Sequence, residues 1–326
     1  MRVHVQSFQA DPAGLFTREQ WNDVFGQSSG HDVSFGCTSD DLRAIESEVE
    51  VLLIATRGLR AMLPINAPKL KIVSVSSAGV DMLAPFDWLP SGAVLLNNSG
   101  THSVKASEFA LMGLLMLANR MPQFIAAQSL GQWQPVSVRT LANNRLTVVG
   151  LGAIGARCAE VASALGMHVT GVRSRPGTHP ACVEVVGVDQ IDRVLSYSDY
   201  LVLSLPGGDS TRHLLDRRRL ELLPHGASIV NVGRGSVLDE DALCDLLDSG
   251  KVGGAVLDVF EYEPLLKDSR VWRTPNLVVT PHVSADDPLN YNLLTLRILF
   301  DNLAAFSKGL PMPNQIDTTT GLRQSK

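Results

Sequence analysis

The sequence predicts an α/β protein made of two units, each with a largely parallel sheet. Three observations carry that prediction. Short β-like runs alternate with helical runs over most of the chain, which is the pattern of layered α/β folds. A cluster of turn formers, Asn97-Asn98-Ser99-Gly100, separates two such series. In the second series a glycine-spaced turn follows an apolar strand directly and opens a helix. The length of 326 residues suits two domains better than one core.

Taken in order, residues 2–5, 51–55 and 71–75 are the first strand candidates, the last running into Ser76-Ser77-Ala78-Gly79. Their valine and isoleucine content fits pleated, covered positions. Residues 93–96 form a further apolar run that closes into the turn cluster. Residues 103–119 then read as a helix that is apolar on nearly every side, and so as one buried between domains, between subunits, or both. The second series places strands at 146–149, 168–172, 200–205, 228–232, 254–257 and 277–280, with a helix over 154–165. Beyond residue 285 the chain reads as a polar-faced helix as far as Gly309, followed by a loose tail.

Composition excludes several classes. A chain 45% hydrophobic and 19% charged is an ordinary globular protein, neither disordered nor fibrous. The net charge of −5 comes without a basic block, so no nucleic-acid partner is expected. The longest uninterrupted apolar stretch, 110–118, is nine residues, and a membrane helix needs about 20. No membrane partner is expected. Cys37, Cys158, Cys182 and Cys244 are far apart and show no metal-ligand spacing, so no metal is expected. With no h-region near the start, these features set the expected location as the cytoplasm.

The turn Gly150-Leu151-Gly152-Ala153-Ile154-Gly155 carries the first chemistry. The first glycine permits the tight turn, the second lets a pyrophosphate approach the backbone, and the third lets helix and strand pack closely. The helix start offers free N–H groups and partial positive charge to a diphosphate. At the end of the next strand, about 20 residues on, NAD-binding folds place an acid for the ribose 2′-hydroxyl. Here the residues are Arg173-Ser174-Arg175. Two guanidiniums and a hydroxyl would bind a 2′-phosphate that a carboxylate repels. NADP(H) is therefore the preferred cofactor, with NAD(H) left open.

Ligands of open α/β sheets bind beyond the carboxyl ends of strands. Arg234 follows the 228–232 run, Asp258 and Glu263 follow 254–257, and His282 follows 277–280 across Pro281. Hydride addition to a carbonyl leaves an alkoxide that needs a proton, and a histidinium beside a carboxylate is a suitable donor. Arginine offers a planar fork to a substrate carboxylate. The set suits reduction of a small 2-keto acid. Among the other histidines, His168 and His225 fall at the wrong strand edge, His213 at a helix start, and His4, His31 and His179 elsewhere. His102 stays open as a second candidate acid.

With these residues in place, the chain resembles the D-2-hydroxyacid dehydrogenase family. The resemblance rests on Ser77–Asp81, Gly150–Gly155, Leu205-Pro206 through Thr211, Asn231–Ser236, Leu257–Pro264 and Thr280-Pro281-His282. It implies two Rossmann-like doubly wound parallel-sheet domains, a cofactor domain (100–285) inserted into a substrate domain (1–99 and 286–326). It also implies a homodimer built on the helix after Gly100.

By the same resemblance, Arg234, Glu263 and His282 match the catalytic arginine, glutamate and histidine, and Asp258 the acid that orients the nicotinamide amide. Leu205, Pro206, Thr211, Val232 and Gly233 join the cofactor contacts, and Ala78 and Gly79 hold the substrate carboxylate through backbone N–H groups. The arginine pair is similar to the NADP-using glyoxylate and hydroxypyruvate reductase branch. Ser284-Ala285-Asp286-Asp287-Pro288 departs from the commoner glycine-and-serine version of that stretch. Two other readings stay open: a dinucleotide-sensing, corepressor-like binding protein on the same fold, and a formate dehydrogenase-like enzyme. Glu263 speaks against the latter, which resembles this family with glutamine at that position.

Overall fold

The computed structural model describes residues 1–8, 15–27 and 30–321. The chain divides into two compact units, Met1–His102 with Asp286–Lys326, and Ser103–Ala285.

In the first unit, strands β1 (Arg2–Gln6), β2 (Asp32–Gly36), β3 (Val51–Ile54), β4 (Ile72–Val75) and β5 (Val94–Leu96) form a parallel sheet in the order β2-β1-β3-β4-β5. Strands β3 and β4 are buried at every position, as expected where helices cover both faces of a parallel sheet. One face packs Leu52, Ile54, Val73 and Val75 with Leu59 and Met62 of the helix Thr56–Met62. The other packs Val51, Leu53 and Ile72 with Trp21 and Phe25 of the helix Arg18–Phe25. That helix starts on a capping box between Thr17 and Gln20.

The last helix of the chain, Tyr291–Ser307, adds Leu296, Leu299 and Leu303 to this second face. Asn98 Nδ2 donates to Thr295 Oγ1 at 2.8 Å, and Ile316 N–H donates to the Leu95 carbonyl at 2.9 Å. The end of the chain is thereby tied to the sheet of its beginning.

The second unit holds β6 (Arg145–Val149), β7 (His168–Val172), β8 (Glu184–Val186), β9 (Tyr200–Leu203), β10 (Ala227–Asn231), β11 (Val252–Leu257) and β12 (Leu277–Val279). All pair in parallel, in the order β12-β11-β10-β9-β6-β7-β8. The winding reverses at β6, which pairs with β7 on one side and β9 on the other. Beyond the carboxyl ends of β6 and β9 lies the crevice where such sheets bind ligands.

The helix Ser103–Ala118 lies on this sheet, and a Cβ at Gly113 would come within 3.1 Å of Val230. Expected burial on every side does not hold within the single chain. Ala106, Phe109, Ala110, Leu114 and Leu117 are buried, while Val104, Met112 and Leu115 are exposed. The sheet and the helix Ala153–Ala164 together cover part of this helix, and the rest of its apolar surface is left outside within the chain. No single helix among the described residues is long and apolar enough to cross a membrane.

Candidate active site

The second unit builds its chemistry at the carboxyl ends of its strands. Strand β6 is followed directly by Gly150, whose φ of 99° belongs to glycine. The helix Ala153–Ala164 starts on Gly152 without a side-chain cap, which leaves its first N–H groups to a ligand. A Cβ on Gly155 would lie 1.8 Å from the Gly150 carbonyl oxygen, while one on Gly152 would meet nothing within 4 Å. The third glycine is thus required by packing, and the second opens the approach. Ser204 Oγ, just past β9, donates to the Gly150 carbonyl at 2.7 Å and ties the two sides of the crevice together.

At the end of β7, Arg173 N–H donates to the Val186 carbonyl at 3.1 Å, and Arg173 Nε is buried without a hydrogen-bond partner. A buried donor of that kind is costly unless something pairs with it. Gly177 leaves room for the guanidinium, since a Cβ there would sit 2.2 Å from Arg173 Nη2. Ser174 and Arg175 follow as exposed residues.

Strand β10 delivers Arg234 on a turn fixed by Asn231, which is 0% exposed. Asn231 Oδ1 accepts the Gly233 N–H at 3.0 Å, and its Nδ2 donates to the Arg234 carbonyl at 3.1 Å. Gly233 is seated against Leu205, where a Cβ would approach the backbone oxygen to 2.7 Å. Val232 N–H donates to the Leu203 carbonyl at 3.0 Å. Beyond β9, Thr211 Oγ1 closes the 206–211 loop by donating to the Pro206 carbonyl at 2.8 Å.

Strand β11 delivers two carboxylates with opposite fates. Asp258 is 0% exposed. Its Oδ1 accepts from Thr280 Oγ1 at 2.6 Å and from Val283 N–H at 2.9 Å, and its Oδ2 accepts Ser284 N–H at 2.8 Å. Asp258 therefore fixes the loop on both sides of His282. Glu263 is exposed; its Oε1 accepts the Phe260 N–H at 3.0 Å and its Oε2 meets His282 Nδ1 at 2.7 Å.

His282 itself has a φ of 57°, the left-handed region that a non-glycine residue enters only under constraint. A carboxylate only accepts, so Nδ1 carries the hydrogen in this pair. Nε2 is then the ring position left to exchange a proton with a ligand, the arrangement of an oriented acid–base histidine.

The structure thus brings Arg234, Asp258, Glu263 and His282 to the ends of three adjacent strands. Ala78 and Gly79 belong to the first unit, in the loop after β4, as does His102, whose ring lies 5.3 Å from that of Tyr291. In that loop the Ala78, Ser77 and Ser76 carbonyls are all taken, by Asn97 Nδ2, Asn98 N–H and Asn98 Nδ2. His213 is in a turn rather than at a helix start, because the next helix, Arg217–Leu222, begins on Asp216. Sequence reasoning missed Asn231, Ser204 and Thr280. All three are polar residues at or just past a strand end, so the strand-end rule contained the signal. Among the described residues no group of three or more His, Cys, Asp and Glu side chains is placed to hold a metal.

Comparison with known proteins follows this geometry. The family model described as D-isomer specific 2-hydroxyacid dehydrogenase, NAD binding domain, matches residues 110–284. A D-3-phosphoglycerate dehydrogenase of Methanocaldococcus jannaschii is 31% identical over 261 residues, which are 78% of this chain and 49% of that enzyme. The chain spans about half the length of such phosphoglycerate dehydrogenases. A hydroxypyruvate reductase of Thermotoga maritima is 32% identical over 251 residues, 76% of this chain and 81% of that one. Among solved structures, a D-isomer specific 2-hydroxyacid dehydrogenase from Xanthobacter autotrophicus, in complex with NADPH and MES, superposes with a TM-score of 0.81. It is 30% identical and covers 98% of this chain and 99% of its own.

Proposed function

The chain belongs to the D-isomer specific 2-hydroxyacid dehydrogenase family, and from that premise we propose that it is an NADP(H)-preferring reductase of small 2-keto acids. The observation that carries the reading is the His282–Glu263 pair at 2.7 Å, which engages Nδ1 and leaves Nε2 as the ring nitrogen for proton exchange. The next strand in the order, β10, supplies an arginine, and β11 itself also supplies a loop-fixing aspartate.

The residues present fit a nicotinamide dinucleotide. The open approach at Gly152, the uncapped helix start and the buried, unpaired Arg173 Nε each suit a phosphate. Gly150, Gly152, Ala153, Ile154 and Gly155 would hold the diphosphate, and Arg173, Ser174 and Arg175 the 2′-phosphate. The loop from Leu205 and Pro206 to Thr211, with Val232 and Gly233, would line the crevice at the switch point. Asp258, which the family resemblance matches to the acid that orients the nicotinamide amide, is fully buried under three internal donors, so its contribution at that end of the crevice is to fix the His282 loop. When bound, the reduced nicotinamide supplies the hydride.

The chain's own residues supply the rest. Arg234 takes the substrate carboxylate and polarises the adjacent carbonyl. By the family resemblance, the Ala78 and Gly79 N–H groups of the first unit, which have no intramolecular partner among the described residues, are backbone anion donors suited to a carboxylate. His282 gives its Nε2 proton to the carbonyl oxygen as negative charge develops there, and Glu263 stabilises the charged ring before the transfer. In the reverse direction the neutral ring takes the hydroxyl proton.

A homodimer belongs to the same reading. Val104, Met112, Leu115, Met121, Ile125 and Trp133 form an exposed apolar run along the helices Ser103–Ala118 and Met121–Ser129 and just beyond, a surface that monomers rarely leave uncovered.

The test is steady-state reduction of glyoxylate, hydroxypyruvate, pyruvate and phenylpyruvate with NADPH and with NADH. Turnover of at least one acid with higher kcat/KM for NADPH is expected. Dinucleotide binding without turnover would favour a sensor instead, and a better kcat/KM with NADH would overturn the cofactor preference. Sedimentation as a monomer at micromolar concentration would overturn the dimer.

A further inference from the structure

Arg234 and Glu263 leave different strands, and one residue bonds both loops, the first through its backbone and the second through its side chain. His213 lies in the turn after the 206–211 loop with a φ of 44°, a conformation that a non-glycine residue holds only where its surroundings impose it. Its backbone N–H donates to the Ser236 carbonyl at 2.7 Å, two residues past Arg234. Its Nε2 meets Glu261 Oε2 at 3.2 Å, two residues before Glu263.

The Glu261 end of this tie is well anchored. Arg212 donates to the other carboxylate oxygen, and the Glu261 N–H donates to Glu240 Oε1 at 2.6 Å. Burial pushes the Glu261 carboxyl up, but hydrogen bonds from His213 and then Arg212 outweigh it and hold the group below the usual carboxylate range. The two loops also touch directly, since a Cβ on Gly235 would fall 1.8 Å from the Phe260 carbonyl carbon. One short loop thus presents alternate glutamates to two left-handed histidines, Glu261 to His213 and Glu263 to His282.

We propose that His213 is a positioning residue of the reductase site: it ties the turn bearing Arg234 to the loop bearing Glu263, and so sets the spacing between the anion-binding guanidinium and the proton-donating pair. The inference rests on the assignment of Arg234, Glu263 and His282 as catalytic. It acts through geometry alone, because His213 bonds the supports of those residues and not the residues themselves.

The test compares His213→Leu with His213→Gln. Both variants carry the same backbone penalty at a positive φ, but only glutamine has an amide nitrogen that can donate to Glu261. His213→Leu should lower kcat about 10- to 100-fold, the scale of an ångström-sized misplacement, with a smaller rise in KM for the keto acid. NADPH affinity, read by fluorescence titration, should stay within about threefold because the glycine turn is not touched. His213→Gln should recover most of the loss.

Amide exchange reads the tie without turnover. Segments 231–238 and 258–264 should both exchange faster in His213→Leu and at the wild-type rate in His213→Gln. Equal kcat in wild type and His213→Leu, a glutamine variant as poor as leucine, or loosening of only one segment would each overturn the proposal. If the wild-type protein reduces no keto acid, the functional reading fails, while the exchange experiment still decides the tie. Should His213→Leu not fold, Glu261→Ala removes the same contact from the other side and should loosen the same two segments.

Discussion

The Thr280–Asp258 hydrogen bond allows a quantitative test of how His282 is held. Asp258 is fully buried, and its carboxylate is satisfied by three donors, of which the Thr280 hydroxyl is the closest at 2.6 Å. Thr280→Val keeps the shape and β-branching and removes that one donor. Losing a hydrogen bond to a buried charged group costs about 1.5–3 kcal/mol. In a domain of this size, that lowers Tm by about 3 to 12 °C. The left-handed backbone of His282, at φ 57°, itself stores about 1–3 kcal/mol. The two quantities are of the same size, so the loop that loses its donor also loses the margin that holds His282 in place. Relaxation of that residue to an extended conformation would carry the ring away from Glu263. We expect kcat to fall roughly 10- to 100-fold, as about 1.4 kcal/mol is tenfold, and Thr280→Ser to restore both kcat and Tm. Thermal melts and steady-state kinetics on the three proteins suffice. A Thr280→Val protein with wild-type Tm and wild-type kcat would refute the reasoning.

Further outcomes can be checked with the same preparations. His282→Ala should lower kcat by about 10²- to 10⁴-fold, the usual loss for a general acid, and a near-normal rate would remove it from that role. Replacing Arg173 and Arg175 together by alanine should weaken NADPH about tenfold to a hundredfold for each charge-assisted bond lost. NADH kinetics should change little, and equal losses for both cofactors would argue against a 2′-phosphate site. In the first unit His4 is 1% exposed, and burial lowers its pKa below the ordinary 6.5 despite the Gln6 hydrogen bond and the Asp41 charge. The unfolded chain therefore binds a proton at a pH where the folded chain does not. Stability should be full above pH 6.5 and fall as pH drops from there towards the folded value. His4→Gln should flatten that fall in Tm, and an unchanged slope would show that another group causes it.

The parts of the fold legible in the sequence were those whose physics is local. Strands β3, β4, β6, β7, β9, β10 and β11 lie inside their sheets, so they read as nearly continuous apolar runs. The expected strand at 200–205 ends in the structure at Leu203, because Ser204 and Leu205 leave the ladder to line the crevice. The edge strands β2, Asp32–Gly36, and β8, Glu184–Val186, gave no such signal; they are short, polar at their starts and partly exposed. The helix Ser103–Ala118 was legible as apolar, but not in what covers each of its faces. Composition reports how apolar a helix is, not which of its faces the same chain covers. The site was legible residue by residue, since each of Arg234, Asp258, Glu263 and His282 follows a strand. The pairings were not. Glu261 with His213 and Asp258 with Thr280 join positions 48 and 22 apart in the chain, and only the sheet order makes them neighbours.

The strand-end rule is also blind to whether a polar residue serves a ligand or the architecture, and Asp258 and Glu263 show why. Both leave β11, which pairs on both sides, with β10 and β12. Asp258 comes first, while the chain is still flanked by those neighbours, and donors from the His282 loop close over it until none of it is exposed. Glu263 comes five residues later, after the loop has left the sheet, and its side chain keeps 33% of its surface open. His282 follows β12, the edge strand, where there is a neighbouring strand on one side only, and its side chain is 46% exposed. Position in the sheet therefore assigns the roles. The carboxylate nearest the strand end is locked inside and fixes the backbone on either side of His282. The more distant one remains outside and fixes the ring. A substitution at Asp258 should then damage folding and catalysis together, whereas one at Glu263 should damage catalysis with little effect on Tm.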